Sequence, residues 1–127
     1  MSGVLLDTHV AMWLLGDPDR LGTRTRALLS TATVWVSAAS VWEVAIKQQL
    51  GKLHLDADFT RALADSGVRE LAVNWRHAQA HGAVELPHQD PFDAILLAQA
   101  RDDGLRFLTA DRAILAAGLP FVVDARE

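Results

Sequence analysis

Residues 4–16 read VLLDTHVAMWLLG. Val4-Leu5-Leu6 is a short apolar run that ends on Asp7, and an apolar helical pattern begins within two residues, over 9–15. The stretch is apolar enough to resemble a signal peptide, but it lacks a basic leading region and is interrupted by Asp7 and His9. It reads as a buried strand that emerges at an acid and turns into a helix. The same alternation continues along the chain. Short apolar or β-branched runs recur at 4–7 (VLLD), 34–37 (VWVS), 70–73 (ELAV), 106–109 (RFLT) and 120–124 (PFVVD). Helical patterns cover roughly 9–15, 24–31, 40–50, 59–66, 75–84, 91–102 and 112–117. Strands separated by helices imply right-handed βαβ crossovers and a parallel sheet covered on both faces.

The chain has 127 residues, half of them apolar, enough for one domain over 1–127 that buries its core without staples. No repeat, low-complexity tract or linker interrupts it. It contains no cysteine, so disulfides and thiolate metal sites are not available, which fits a reducing, cytoplasmic setting. No apolar run approaches the roughly 20 residues needed to span a bilayer, and a soluble protein with no membrane association is expected. The net charge of −4, from 12 basic and 16 acidic residues, argues against a generic nucleic-acid coat protein, which carries a basic face. If four of the 16 acids form one metal cluster, the other 12 balance the 12 bases, and the negative charge marks a site rather than a surface.

Four separated segments deliver acids to one place. In an open parallel sheet the carboxyl ends of the strands form the ligand-binding edge. Asp7 closes the first strand, Glu43 lies in the first turns of the helix after VWVS, Asp90 and Asp93 open the helix at DPFDAILLAQA, and Asp111 follows RFLT by one residue. Each acid also has a structural reading. Asp7 and Asp111 are placed to cap the helices that follow them. Asp90 is a good N-cap with Pro91 at the first helical position, and Asp93 falls at N3, facing the positive end of the helix dipole. Glu43 can pair with Lys47 at i,i+4, a contact worth only about 0.3–0.5 kcal/mol. Yet its neighbours are apolar, and a carboxylate held partly out of water needs a cation or a hydrogen-bond donor. Lys47 or a metal ion can fill that role. Taken together, four caps or pairs on the functional edge of one sheet favour a site.

Hard oxygen ligands without His or Cys companions suit Mg²⁺ or Mn²⁺ rather than zinc. Such clusters activate water and neutralise charge as a phosphodiester is cleaved. Four carboxylates converging on one edge also repel one another, so at least one is expected to carry a raised pKa. The five histidines, His9, His54, His77, His81 and His88, show no metal-ligand spacing; His77 and His81 lie four apart, but without an HExxH pattern, and they read as surface or core residues. Trp13, Trp35, Trp42 and Trp75 sit beside aliphatic residues, and core packing is expected for most of them rather than base stacking.

LLDTHVAMWLL at the start, VSAASVWEVAIKQQLGKL in the middle, DPFDAILLAQA later and FLTAD near the end, in that order across nearly the whole chain, resemble the PIN-domain ribonucleases, and most closely the VapC toxins of bacterial type II toxin-antitoxin modules. The resemblance implies a PIN-like three-layer α/β/α fold with a central parallel five-stranded sheet and an Mg²⁺- or Mn²⁺-dependent endoribonuclease acting on RNA. It places the family's four acids on Asp7, Glu43, Asp93 and Asp111, with Thr109 as the polar neighbour two residues before the last. Asp90 belongs to the DPFD variant of the third motif, as ligand or as cap. A homodimer is implied as well, together with a cognate antitoxin protein that presents an Arg to the acidic groove, where a guanidinium replaces the metal as counter-charge. Arg20, Arg24, Arg26, Lys47, Lys52 and Arg112 are candidate contacts to RNA phosphates. Two other functions compete with this one. A doubly wound phosphatase also uses a first-strand Asp with Mg²⁺, but ordinarily needs a second Asp where this chain has His9. A non-catalytic module would bind RNA or protein without turnover.

Overall fold

In the computed structural model, which describes residues 3–80 and 90–127, Val4, Leu5 and Leu6 are fully buried. They form β1 (Val4–Leu6), the central strand of the sheet. The chain continues through α1 (Thr8–Gly16), a 3-10 turn (Pro18–Arg20), α2 (Thr23–Thr31), β2 (Val34–Ser37), α3 (Ala38–Gln49), α4 (Phe59–Asp65), β3 (Arg69–Leu71) and α5 (Trp75–Ala80). It closes with α6 (Pro91–Asp103), β4 (Arg106–Thr109), α7 (Arg112–Ala116) and β5 (Val122–Asp124). The five strands are all parallel, in the order β3-β2-β1-β4-β5.

Because successive strand residues point to opposite faces, β1 and β4 each feed two cores. Leu6 and Leu108 pack with Val10, Ala11, Val44, Phe59 and Leu63 on the side covered by α1, α3 and α4. Leu5 and Phe107 pack with Leu96, Leu97, Ala100 and Ile114 on the side covered by α6 and α7. The result is the expected three-layer arrangement. Gly104 ends α6 in the left-handed region (φ 68°), and Leu105 N–H closes the turn onto the Ala100 carbonyl at 2.8 Å. No helix among the described residues is long and apolar enough to cross a membrane.

The elements read from sequence all form, with three adjustments. β3 runs over Arg69–Leu71 rather than 70–73, because it is an edge strand whose extent is set by its one partner, and β2 ends at Ser37, opposite Leu71. The strand read at 120–124 begins at Val122, and the helical pattern read at 75–84 is described only as far as Ala80, its remainder lying outside the described residues. The tryptophans divide. Trp13 and Trp35 are half-buried and pack against the two cores, but Trp42 is 64% exposed and Trp75 is 91% exposed. Core packing is therefore wrong for those two. Aliphatic neighbours along the chain make an apolar stripe, and nothing in the stripe says whether another layer covers it.

Phe107 has no exposed surface and stands mid-strand in β4 between two neighbouring strands. Phe107→Ala should cost about 3–5 kcal/mol, from lost transfer energy and a residual cavity. Denaturant unfolding will read this as a lower midpoint with an unchanged slope.

Candidate active site

The chain builds the sheet outward from β1 through β2 to β3, then crosses to β4 and β5 on the other side. The carboxyl ends of β1 and β4 therefore flank the point where the winding reverses, the position at which open α/β sheets leave a crevice. Asp7 stands at one lip and Thr109 at the other. Asp7 N–H donates to the Leu108 carbonyl at 2.9 Å, and its Oδ1 accepts from Thr8 N–H at 2.8 Å. Its Oδ2 accepts from the Thr109 hydroxyl at 2.7 Å. The residue is only 3% exposed. Burial pushes its carboxyl above the ordinary value of 3.8, against the opposing pull of His9 and of the Thr109 and Thr8 hydrogen bonds. Repulsion from Glu43 adds the least, so the raised acid expected from crowding exists but owes its shift mainly to desolvation.

Glu43 reaches the same crevice from α3. Its Oε1 accepts from the Thr8 hydroxyl at 2.7 Å and its Oε2 from the Lys47 ammonium at 2.8 Å. Thr8 Oγ1 also lies 2.9 Å from Ser40 Oγ. The side chain of Glu43 is 13% exposed and that of Lys47 49%. The bond to Glu43 raises the Lys47 pKa above 10.5, with Asp90 and Asp93 adding to the effect.

Asp90 and Asp111 both cap helices. Asp90 Oδ1 accepts from Phe92 N–H at 2.8 Å and Asp93 N–H at 3.2 Å, as a residue ahead of Pro91 should. Asp111 Oδ1 accepts from Ile114 N–H at 3.0 Å. Asp111 N–H in turn donates to Thr109 Oγ1 at 3.0 Å, so the Thr109 hydroxyl links the backbone of Asp111 to the carboxylate of Asp7. His9 Nε2 accepts from Ala110 N–H at 3.1 Å, which assigns its proton to Nδ1, 3.7 Å from Asp7 Oδ2. Asp7, Glu43, Asp90, Asp93 and Asp111 line one cavity of about 220 Å³, together with Lys47, Thr8 and His9. A larger groove of about 720 Å³ lies along α3 and α6 as well, but Trp42, Ile46, Phe92 and Ile95 line it and its chemistry is apolar.

Every acid singled out in the sequence thus reaches one cleft. The basic candidates divide. Lys47 lines the cleft, whereas Arg20 lies over the Trp13 ring at 4.8 Å, Arg24 pairs with Glu127 at 4.0 Å and Arg26 with Asp19 at 3.9 Å. Lys52 and Arg112 are exposed and do not line it. His77 is buried, with Nε2 3.0 Å from Asp103 Oδ2, in a group with Asp102 that has the spacing of a metal site. Arg76 already pairs with both acids, at 2.5 and 3.5 Å, so this group is an ion-paired clamp between α5 and α6. His54 pairs with Asp56 at the surface, and His81 and His88 lie outside the described residues. Sequence reasoning missed Thr8, Ser40 and His9. All three fall in the first turns of helices that leave the functional edge, which is the signal that marked the acids.

Comparison with known proteins places this geometry. The PIN domain profile matches residues 4–118. Ribonuclease VapC22 of Mycobacterium tuberculosis is 30% identical over 118 residues, covering 90% of this chain and 91% of that protein. Among solved structures, a toxin-antitoxin complex from Klebsiella pneumoniae contains a similar chain, with 23% identity, a TM-score of 0.67 and 98% of each chain covered. DNA-bound VapBC from Salmonella typhimurium contains another, with 20% identity, a TM-score of 0.64 and 98% of each chain covered.

The raised Asp7 carboxyl makes a prediction for the metal-free protein. Protonation favours the folded state, so the contribution of this group to stability is full below pH 3.8 and is lost as pH rises through the elevated folded value. Asp7→Asn removes the titration. In thermal melts run in chelator, its melting temperature should exceed that of wild type at neutral pH, and the gap should close as pH falls toward 3.8. A gap that does not change with pH would show that burial does not penalise the ionised Asp7.

Proposed function

The chain belongs to the PIN-domain family, and from that premise we propose that it is a divalent-metal-dependent endoribonuclease, the toxin of a toxin-antitoxin pair. The observation that carries this reading is the convergence of five carboxylates on one cavity of about 220 Å³ at the reversal point of the sheet. The donor set fits a hard divalent cation. The four acids proposed as ligands offer only oxygen, and Lys47 is the only Lys or Arg lining the cavity among the described residues. Asp7, Glu43, Asp93 and Asp111 are the residues proposed to hold Mg²⁺ or Mn²⁺. Bound there, such an ion neutralises phosphate charge and lowers the pKa of water.

The residues of the chain supply the orientation. Thr109 and Thr8 fix both oxygens of Asp7, and the Thr8 hydroxyl also holds Oε1 of Glu43, so Asp7 need not reorganise when substrate arrives. Asp90 holds the mouth of α6 and so sets where Asp93 stands. The phosphatase alternative fares worse: His9 stands where that mechanism needs a second Asp, and its Nε2 is engaged by Ala110 N–H.

The toxin-antitoxin relatives support an antitoxin partner that covers the acidic cleft. A homodimer is proposed across the apolar groove of about 720 Å³. Exposed Trp75 stands two residues from Val73 and three from Ala78, both of which line the groove. A projecting indole and a recess on one surface suit a two-fold, self-complementary contact.

Four measurements test this reading. Purified protein should cleave single-stranded or looped RNA with Mg²⁺ or Mn²⁺ and stop in EDTA; undiminished cleavage in excess chelator removes the metal mechanism. Asp93→Ser should remain folded and lose at least about 10²-fold in rate, as the loss of a ligand charge requires. Asp90→Ser should keep most activity and stability, since serine preserves the capping oxygen, while Asp90→Ala should cost about 0.5–2 kcal/mol. Light scattering should give a dimer mass for wild type and a monomer mass for Trp75→Ser with an unchanged circular dichroism spectrum.

A further inference from the structure

Both oxygens of Glu43 are engaged by other groups of the chain, Oε1 by the Thr8 hydroxyl and Oε2 by the Lys47 ammonium. Lys47 shares the cavity with Asp90 and Asp93 as well. We propose that Lys47 is a resident counter-cation that competes with the divalent metal for Glu43 and thereby sets the metal affinity of the cleft. This rests on the reading of the cleft as a metal site.

The argument is one of charge and room. A cavity of about 220 Å³ is lined by five acidic residues and by Lys47, whose ammonium bonds Glu43 and feels the charges of Asp90 and Asp93. When a divalent ion enters such a space, a fixed monovalent cation at 2.8 Å from one of its ligands repels it and holds that ligand's outer lone pairs. Glu43 side-chain burial strengthens the effect, because little water screens the pair from that side. Lys47 can yield. Its side chain is half exposed and unbranched, and it leans into the cleft from the turn of α3 one step beyond Glu43. Were Glu43 to hold a divalent ion, the Lys47 ammonium would remain in the cleft without that carboxylate and could meet a phosphate diester.

The test is calorimetric titration of Mn²⁺ into metal-free protein, with no RNA present. Lys47→Met removes the charge and keeps the aliphatic stem; it should bind Mn²⁺ about tenfold more tightly, a change of about 1.4 kcal/mol. Lys47→Arg retains the charge and should stay within about twofold of wild type, and so should Lys52→Met, which removes an exposed charge outside the cleft. In a Glu43→Gln background, Lys47→Met should give little further gain, because the contested carboxylate is gone. Asp93→Asn separates the two levels of the argument. If it abolishes Mn²⁺ binding while Lys47→Met leaves affinity unchanged or weaker, Lys47 does not compete and the proposal falls with the metal site intact. If Asp93→Asn binds Mn²⁺ like wild type, the metal-site reading falls and takes the proposal with it. A gain for Lys47→Met that is equally large in the Glu43→Gln background would show a general field effect and overturn the competition for Glu43.

Discussion

The Asp7 carboxylate, almost wholly withdrawn from water at the seam between β1 and β4, is the contact on which the rest of the cleft depends. A carboxylate in that position is tolerable only if donors meet it, and two do, from opposite ends of the chain: Thr8 N–H beside it and the Thr109 hydroxyl across the seam. The second bond ties the end of β1 to the end of β4. Through Thr109 it also reaches the backbone of Asp111, so the positions of two acids are set by one hydroxyl. Even with these donors burial keeps the Asp7 pKa raised, so the ionised carboxylate is costly where it stands.

How much of this was legible beforehand depended on whether the cause was local. The strands were readable because a sheet covered on both faces requires unbroken apolar runs such as VLL and FL, and the helix starts because Asp90-Pro91 and Asp111 are capping signals in their own right. The acids could be assigned to one edge because each lies at the carboxyl end of a strand or just inside the next helix. What sequence could not supply were partnerships between distant elements. The meeting of Thr8 with Glu43 joins positions 35 apart, and the acceptor role of His9 depends on Ala110, 101 residues away. Trp42 and Trp75 failed for a related reason: a stripe is visible in one dimension, but its covering layer is not. The ends of β3 failed because an edge strand inherits its length from its neighbour.

α3 and α6 carry two surfaces of opposite character. Glu43 and Lys47 face the acidic cavity while Trp42 and Ile46, each one position earlier, line the apolar groove. On α6, Asp90 and Asp93 belong to the cavity and Pro91, Phe92 and Ile95 to the groove. Trp42 and Phe92 meet edge to face at 5.5 Å, so the groove side of the pair is itself packed. A step of about 100° per residue around a helix is enough to separate an acidic lining from an apolar one by one position.

The bond from Thr109 to Asp7 spans 102 positions of sequence, the widest separation among the hydrogen bonds of the cleft. It cannot form until β4 has docked beside β1, and β4 is the next-to-last strand in chain order. Long-range pairing of this kind is the slow part of folding, since loop closure precedes any reward from contact. Asp7, Glu43 and Asp93 all precede in sequence the strand that brings Asp7 its Thr109 donor. The buried Asp7 carboxylate is therefore met by its second donor only once β4 lies beside β1.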